Sequence, residues 1–139
     1  MANYYESART NYFRVKDIAA FIAFMDTVPG AKYHAGDIAD SFCVLFTEEG
    51  VPNVRYNEEA PDDADPYEEF DFMEELSPHL ADGSIAVLQG SGHEKLRYVT
   101  GYAQAIDNTG KQVWVNINDI YALAKKEFGE KSEVTLAQY

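Results

Sequence analysis

The distribution of charge is the feature that most constrains how this chain can fold. From Tyr56 to Glu94, 39 residues include twelve acidic side chains and no lysine or arginine. The other acids and bases nearly balance, so the formal charge of −13 comes almost entirely from this one segment. Holding like charges together costs self-repulsion. We therefore expect the segment to form a solvated anionic surface on a nearly neutral body.

Ten of the acids fall within 18 positions and form the predicted partner-binding surface. They are Glu58, Glu59, Asp62, Asp63, Asp65, Glu68, Glu69, Asp71, Glu74 and Glu75. Residues 57–66 contain two prolines and no apolar periodicity, which predicts a loop. Residues 67–76 are predicted to form a helix, with Phe70 and Met73 on its buried side and Glu68, Asp71 and Glu75 projecting outward.

Length and composition indicate one folded domain. The chain has 139 residues, of which 46% are hydrophobic and 14% aromatic, whereas disordered acidic chains are poor in aromatic residues. The single cysteine, Cys43, lies in an apolar run and suits a reducing compartment. The sequence shows no signal-peptide pattern and no apolar run long enough to cross a membrane. These features predict a cytoplasmic location.

The apolar pattern predicts an α+β fold: a largely antiparallel sheet with two to three helices packed on it, and an acidic loop–helix insertion at about residues 57–83. The clearest helix follows the N-cap residue Asp17 and stops at Pro29. Strands are predicted at residues 12–16, 32–35, 41–47, 54–56, 84–89, 95–106 and 111–117, with an edge strand at 134–136. The strand at 54–56 is expected to return as a hairpin on the one before it.

Three further local structures are predicted in the last third of the chain. Residues 90–93, Gly-Ser-Gly-His, are typical of a hairpin turn, and residues 107–110 of a tight turn. Asn118 is expected to cap a final helix that ends at Gly129.

The residue types that support metal binding or catalysis form no recognised pattern. His34, His79 and His93 are far apart and have no cysteine partner at a zinc-type spacing. The Gly90–Lys95 segment lacks the residue order of a phosphate-binding loop. We therefore expect no metal, no cofactor and no catalytic residue. An enzyme site for a small substrate near the Gly90–His93 turn is the least favoured of three hypotheses.

A calcium loop is the sharper alternative for the acidic cluster. Five acids occupy positions 1, 3, 7, 9 and 12 of such a loop: Asp63, Asp65, Glu69, Asp71 and Glu74. However, Pro66 stands at position 4, and Glu68 occupies position 6, where the sharp turn requires glycine. The pattern allows weak divalent binding by many carboxylates but does not predict a formed calcium site.

Electrostatics favours a basic protein surface as the partner. The negative field repels nucleic acid and anionic membranes. Carboxylates accept paired hydrogen bonds from arginine much as phosphates do. A face that only maintains solubility is the main alternative, but such a face normally intersperses acids with bases.

Small size, no catalytic constellation and a concentrated acidic face together resemble the DNA-mimic inhibitors of phages and plasmids, of the anti-restriction and anti-CRISPR type. Asn11–Asp17 and Glu94–Ala103 are also similar to segments of small proteins of mobile elements. The resemblance implies a non-enzymatic inhibitor that blocks the basic nucleic-acid-binding surface of a defence complex in the bacterial host's cytoplasm. The second hypothesis is an adaptor or assembly protein, including a homodimer, that uses an edge strand or a tyrosine-rich sheet face with Tyr98 and Tyr102.

Overall fold

A computed structural model describes residues 4–46 and 49–138, and within them the chain forms nine strands and three α-helices. The strands are β1 (Tyr4–Thr10), β2 (Phe13–Arg14), β3 (Ala31–Ala35), β4 (Ser41–Phe46), β5 (Val54–Tyr56), β6 (Tyr67–Glu69), β7 (Ala86–Glu94), β8 (Tyr98–Ile106) and β9 (Gln112–Asn116). The helices are α1 (Ile18–Met25), α2 (Phe72–Leu76) and α3 (Asp119–Phe128). A 3-10 turn, Ser77–His79, follows α2 directly.

Seven strands form one antiparallel sheet in the order β2-β4-β1-β7-β8-β9, with β3 paired to β4. The remaining two strands, β5 and β6, pair with each other in a small second sheet. The predicted α+β class with a largely antiparallel sheet is therefore confirmed.

The core lies between one face of the large sheet and helices α1 and α2. The fully buried side chains include Phe21 of α1, Phe72 and Leu76 of α2, and Val44 and Phe46 of β4. Both helices begin at an aspartate cap: Asp17 accepts a hydrogen bond from the Ala20 amide at 3.1 Å, and Asp71 accepts one from the Glu74 amide at 3.0 Å. Caps of this kind stabilise a helix by about 1 kcal/mol. The predicted first helix and its cap are confirmed.

The N-terminal strand was not predicted. The chain forms its first long strand at Tyr4–Thr10, and of the predicted strand at 12–16 only Phe13–Arg14 is regular. The Tyr4–Thr10 segment lacks a clean apolar alternation because only Ala8 and Thr10 are buried. It is nevertheless a central strand, hydrogen-bonded to β4 and β7, so its conformation comes from pairing on both sides.

The turn predicted at Gly90–His93 is wrong. Strand β7 runs straight through these residues, and the chain reverses instead after Glu94, where Lys95 adopts a φ of 51°. Gly90 is required for a different reason: the Tyr102 ring lies where a side chain at position 90 would stand, 2.5 Å from the ideal Cβ position. Glycine here allows a close side-chain approach within a strand, which a local turn signal cannot distinguish.

Two predicted features of the acidic segment are also wrong. Strand β5 pairs with β6 and not with the strand before it. The helix predicted over residues 67–76 is instead a strand, Tyr67–Glu69, followed by the short helix α2 that starts after Asp71. Asp71 therefore caps the helix and does not project from its middle.

The C-terminal predictions are confirmed in part. The tight turn at 107–110, strand β9 and helix α3 are present. Residues 134–136 form no strand, although Gln138 bridges to Tyr98. Asn118 makes no side-chain capping bond to α3.

Candidate acidic interaction surface

The acidic segment folds as a hairpin with an ordered loop at its tip. We name residues 54–76, which comprise β5, the loop, β6 and α2, the acidic hairpin. The loop is closed by a 2.7 Å hydrogen bond from the Asn57 amide to the Pro66 carbonyl and contains two successive backbone turns. The rings of Tyr56 and Tyr67 pack edge to face across its neck, with centroids 5.3 Å apart. The predicted loop over residues 57–66 is confirmed.

Arg55 holds the base of the acidic hairpin together. Its Nε lies 2.6 Å from Glu68 Oε1 and its terminal nitrogen 2.9 Å from Glu75 Oε1. Its guanidinium carbon lies 4.6 Å from the centre of the Phe70 ring, which packs against the core. Hydrogen bonding to Glu68 raises the pKa of the guanidinium. One base thus joins β5, β6 and α2.

The ten predicted partner-binding acids divide into two groups. Four have roles within the protein: Glu68 and Glu75 bind Arg55, Asp71 caps α2, and Asp65 accepts a 2.9 Å hydrogen bond from the Tyr67 amide. The other six are exposed, and their carboxylates have no hydrogen bond or ion pair to any described residue; they are Glu58, Glu59, Asp62, Asp63, Glu69 and Glu74. We name these six the free acids.

The free acids carry the electrostatic character of this surface. All six lie on the acidic hairpin, whose only base is Arg55, and Arg55 already faces two carboxylates. Their charges are therefore balanced only by solvent and mobile ions. Such a surface can accept hydrogen bonds from arginine and lysine side chains of another molecule.

The three histidines lie at separate places in the fold. His79 stacks on Phe24 with ring centroids 4.9 Å apart, and burial there lowers its pKa. His93 packs against Tyr5 at 5.9 Å, while His34 lies on β3. Across residues 4–46 and 49–138, no group of three or more His, Cys, Asp or Glu residues is arranged to hold a metal ion.

The hypothesis of an enzyme site rested on a cleft near His93. A cleft of about 640 Å³ at this end of β7 includes His93 and Lys95 among its lining residues. Glu94, the nearest acid in sequence, instead accepts a 3.0 Å hydrogen bond from Tyr98. No carboxylate lines this cleft in the described chain, so the convergence that this hypothesis requires is not found there.

The two tyrosines of the adaptor hypothesis are partly buried and already bonded. The Tyr98 hydroxyl donates to Glu94, and the Tyr102 hydroxyl donates to Glu6 Oε1 at 3.3 Å. Burial raises the pKa of Tyr102 to about 12. These hydroxyls are committed to contacts within the sheet, which weakens the case for a tyrosine-based binding face.

Strand β9 and helix α3 have an exposed apolar surface that sequence reasoning missed. Trp114 is 58% exposed and Phe128 is 76% exposed. The prediction of helices packed on a sheet did not identify this surface, because a single sequence does not show which apolar face finds a partner.

No helix among the described residues is long and apolar enough to cross a membrane. Comparison of the chain with protein-family models, with curated proteins and with solved structures found no match in any of the three.

Proposed function

We propose that this chain is a non-enzymatic binding protein whose free acids dock on a basic, nucleic-acid-binding surface of another protein. The proposal is based on the six free acids and on the Arg55 cluster that holds the base of the acidic hairpin together. Six exposed carboxylates have no partner in the described chain, and the Arg55 cluster fixes the base from which they project. This arrangement supports a shaped anionic surface over a solvating tail.

The physical reason is the similarity between carboxylate and phosphate as acceptors. Duplex DNA presents a phosphate charge every roughly 1.7 Å of its axis, and proteins bind it with lysine and arginine. A hairpin with six free acids offers the same side chains an anionic surface already ordered by backbone turns. Less conformational entropy is lost on binding when the acceptor is preorganised.

The finer proposal is that the partner is a bacterial defence nuclease or its effector complex, and that the protein inhibits it on behalf of a mobile element. Its support is the resemblance to DNA-mimic inhibitors described above. The protein would then act in the bacterial cytoplasm and compete with the nucleic acid for one surface.

The test is displacement of fluorescent duplex DNA from a panel of restriction and RNA-guided nucleases. We expect the native chain to displace DNA from at least one of them, with an affinity that falls as salt rises because the contacts are ionic. A variant with all free acids neutralised (Glu58→Gln, Glu59→Gln, Asp62→Asn, Asp63→Asn, Glu69→Gln and Glu74→Gln) should bind at least about tenfold more weakly.

The matched control neutralises six exposed acids elsewhere and therefore changes the net charge equally. It combines Asp26→Asn, Asp37→Asn, Asp40→Asn, Glu127→Gln, Glu130→Gln and Glu133→Gln. The control should retain displacement. Equal loss in both variants would mean that only total charge matters, and retained displacement in the first variant would leave the acids a solubilising role.

A further inference from the structure

The largest run of exposed apolar side chains in the C-terminal part of the described chain follows β9 into α3. Seven side chains between residues 113 and 128 are 45% to 76% exposed: Val113, Trp114, Val115, Ile117, Ile120, Leu123 and Phe128. We name them the β9–α3 surface. None of the ten residues of α3 is buried, although Ile120, Leu123 and Phe128 follow helical spacing. Val113, Val115 and Ile117 lie on one face of the sheet edge and Trp114 on the other. Apolar side chains on both faces of β9 and along α3 are therefore left uncovered by the described chain.

Strand β9 is also an unprotected sheet edge. Among residues 4–46 and 49–138 its residues pair only with β8, and they include no charge and no proline. Proteins usually protect such an edge with lysine, proline or a bulge, because the free backbone groups can pair with another strand. The free edge of β9 can therefore pair with a further strand.

Neighbouring hydrogen bonds show which backbone groups of β9 are free. The Ile117 amide donates to the Gly101 carbonyl at 2.9 Å, and the Lys111 carbonyl accepts from the Asp107 amide at 3.1 Å. The backbone N–H and C=O groups of the odd-numbered residues therefore point toward β8. Because these groups alternate in direction along an antiparallel strand, those of Gln112, Trp114 and Asn116 point away from the sheet. The Asn116 amide is already bonded to Asp119 Oδ2 at 2.9 Å, so Trp114 lies at the centre of the free edge.

We propose that a second copy of this chain pairs with β9 in antiparallel fashion, about a twofold axis at Trp114, and covers the β9–α3 surface. The sequence Gln-Val-Trp-Val-Asn is nearly palindromic around Trp114. The axis would place Trp114 opposite itself, Val113 opposite Val115, and Gln112 opposite Asn116. Every contact between two positions would thus be repeated in the reverse sense, as an isologous interface requires, and the opposed side chains would be of the same chemical type.

The local charge at this surface permits a second copy to approach. The molecule carries −13, so most approaches of two copies are repulsive. Residues 111–128 contain three bases and two acids, which leaves the local charge near zero. Two copies paired along residues 111–128 therefore bring together segments that carry no strong charge of their own.

The exposed area is also of the size that a dimer needs. An aromatic side chain offers about 150–250 Å² when fully exposed, and a burial energy of about 1.5–3 kcal/mol corresponds to about 60–120 Å² for an aliphatic one. At the observed exposures, the seven side chains present on the order of 500 Å² of apolar surface. With polar atoms contributing about 40% of an interface, this approaches the standard of about 800 Å² for each partner.

The first test is the molar mass of the full chain in solution, measured by light scattering over a wide concentration range at moderate salt. We expect a dimer for the native chain and a monomer for Val115→Lys, because the lysine would lie within the paired strands. Val99→Lys, which places the same charge at another exposed valine of the sheet, should remain dimeric. A native monomer, or a dimer that Val115→Lys leaves intact, would overturn the proposal.

The second test examines the register of the two paired β9 strands, and its variants keep Trp114 unchanged. Opposed residues that are not hydrogen-bonded have Cα atoms about 4.5 Å apart, which lies within the disulfide range of about 4.4–6.8 Å. A mixture of Val113→Cys and Val115→Cys proteins should therefore cross-link under oxidation, whereas each protein alone should not. Cross-linking of either protein alone, or none in the mixture, would contradict the register. Native Cys43 is buried and should not interfere.

Discussion

At the scale of single residues, Arg55 decides whether the acidic hairpin has a defined base. Its side chain is 21% exposed and contacts Glu68, Glu75 and the Phe70 ring together. Isolated surface ion pairs contribute little, but here one guanidinium separates two carboxylates that would otherwise face each other. The sequence placed Arg55 in a short strand and did not reveal this role, because neither acid is close to it in the chain.

We expect Arg55→Gln to lower the free energy of unfolding by about 1–2 kcal/mol, the sum of two partly exposed ion pairs and one cation–π contact. Urea denaturation at low salt would measure the change. Arg97→Gln is the matched control, because Arg97 is 52% exposed and makes one 3.3 Å ion pair with Glu94. An equal effect of the two substitutions would show that the Arg55 cluster is not a structural centre.

At the scale of elements, β7 shows how tertiary contacts override a local turn signal. Gly-Ser-Gly-His is a turn pattern in isolation, yet these residues pair with β1 on one side and β8 on the other. The space above Gly90 is filled by Tyr102, whose hydroxyl reaches Glu6. Glycine here removes a side chain so that an aromatic ring from the next strand can cross the sheet surface.

Gly90→Ala should therefore lower the free energy of unfolding by about 1–3 kcal/mol, because the new methyl group would displace the Tyr102 ring. The same substitution in a Tyr102→Ala background should be neutral or stabilising, since glycine itself weakens a strand. A double-mutant cycle by urea denaturation measures the difference. The exposed Ser91→Ala change serves as the strand control, and additivity in the cycle would refute the contact.

The Gly90→Ala substitution should also change the ionisation of Tyr102. Burial and the neighbouring Glu6 carboxylate raise the Tyr102 pKa to about 12, so the folded state favours the neutral phenol. Because the unfolded chain ionises near pH 10, this residue's stabilising contribution is complete below pH 10 and is lost as pH rises toward 12. Displacement of the ring in Gly90→Ala should bring the pKa of Tyr102 in the folded protein closer to 10. The loss of stability above pH 10 should then become smaller, and tyrosinate absorbance of the folded protein should show this tyrosine ionising at a lower pH than in the native chain.

At the scale of the whole molecule, the sequence was informative where one face of an element is buried. Helix α1, with its Asp17 cap, and the α+β class followed from apolar periodicity. The strand Tyr4–Thr10 and the β5–β6 pairing were missed because both depend on hydrogen bonds between distant segments. The sequence identified ten acids as one predicted binding surface. It did not show that four of them, in contrast to the free acids, have hydrogen-bond or ion-pair partners within the protein.

The concentration of negative charge on the acidic hairpin should lower the stability of the folded protein, because like charges held close together repel one another. The free acids repel one another and make no ion pair with a described base, so neutralising all six should raise the thermal unfolding midpoint at low salt. The gain should shrink as salt screens the repulsion in the native chain. A surface under selection for function characteristically shows this exchange of stability for binding.

The control variant with six acids neutralised elsewhere separates this explanation from a general effect of net charge. Outside residues 56–94 the chain has 12 acids and 11 bases in total, so removing these six acids should leave the midpoint unchanged or lower it. Calorimetry of both variants across a salt series makes the comparison. If both variants gain equally, the repulsion is distributed over the whole molecule. If only the first variant gains and also loses DNA displacement, the same six carboxylates carry both the stability cost and the binding.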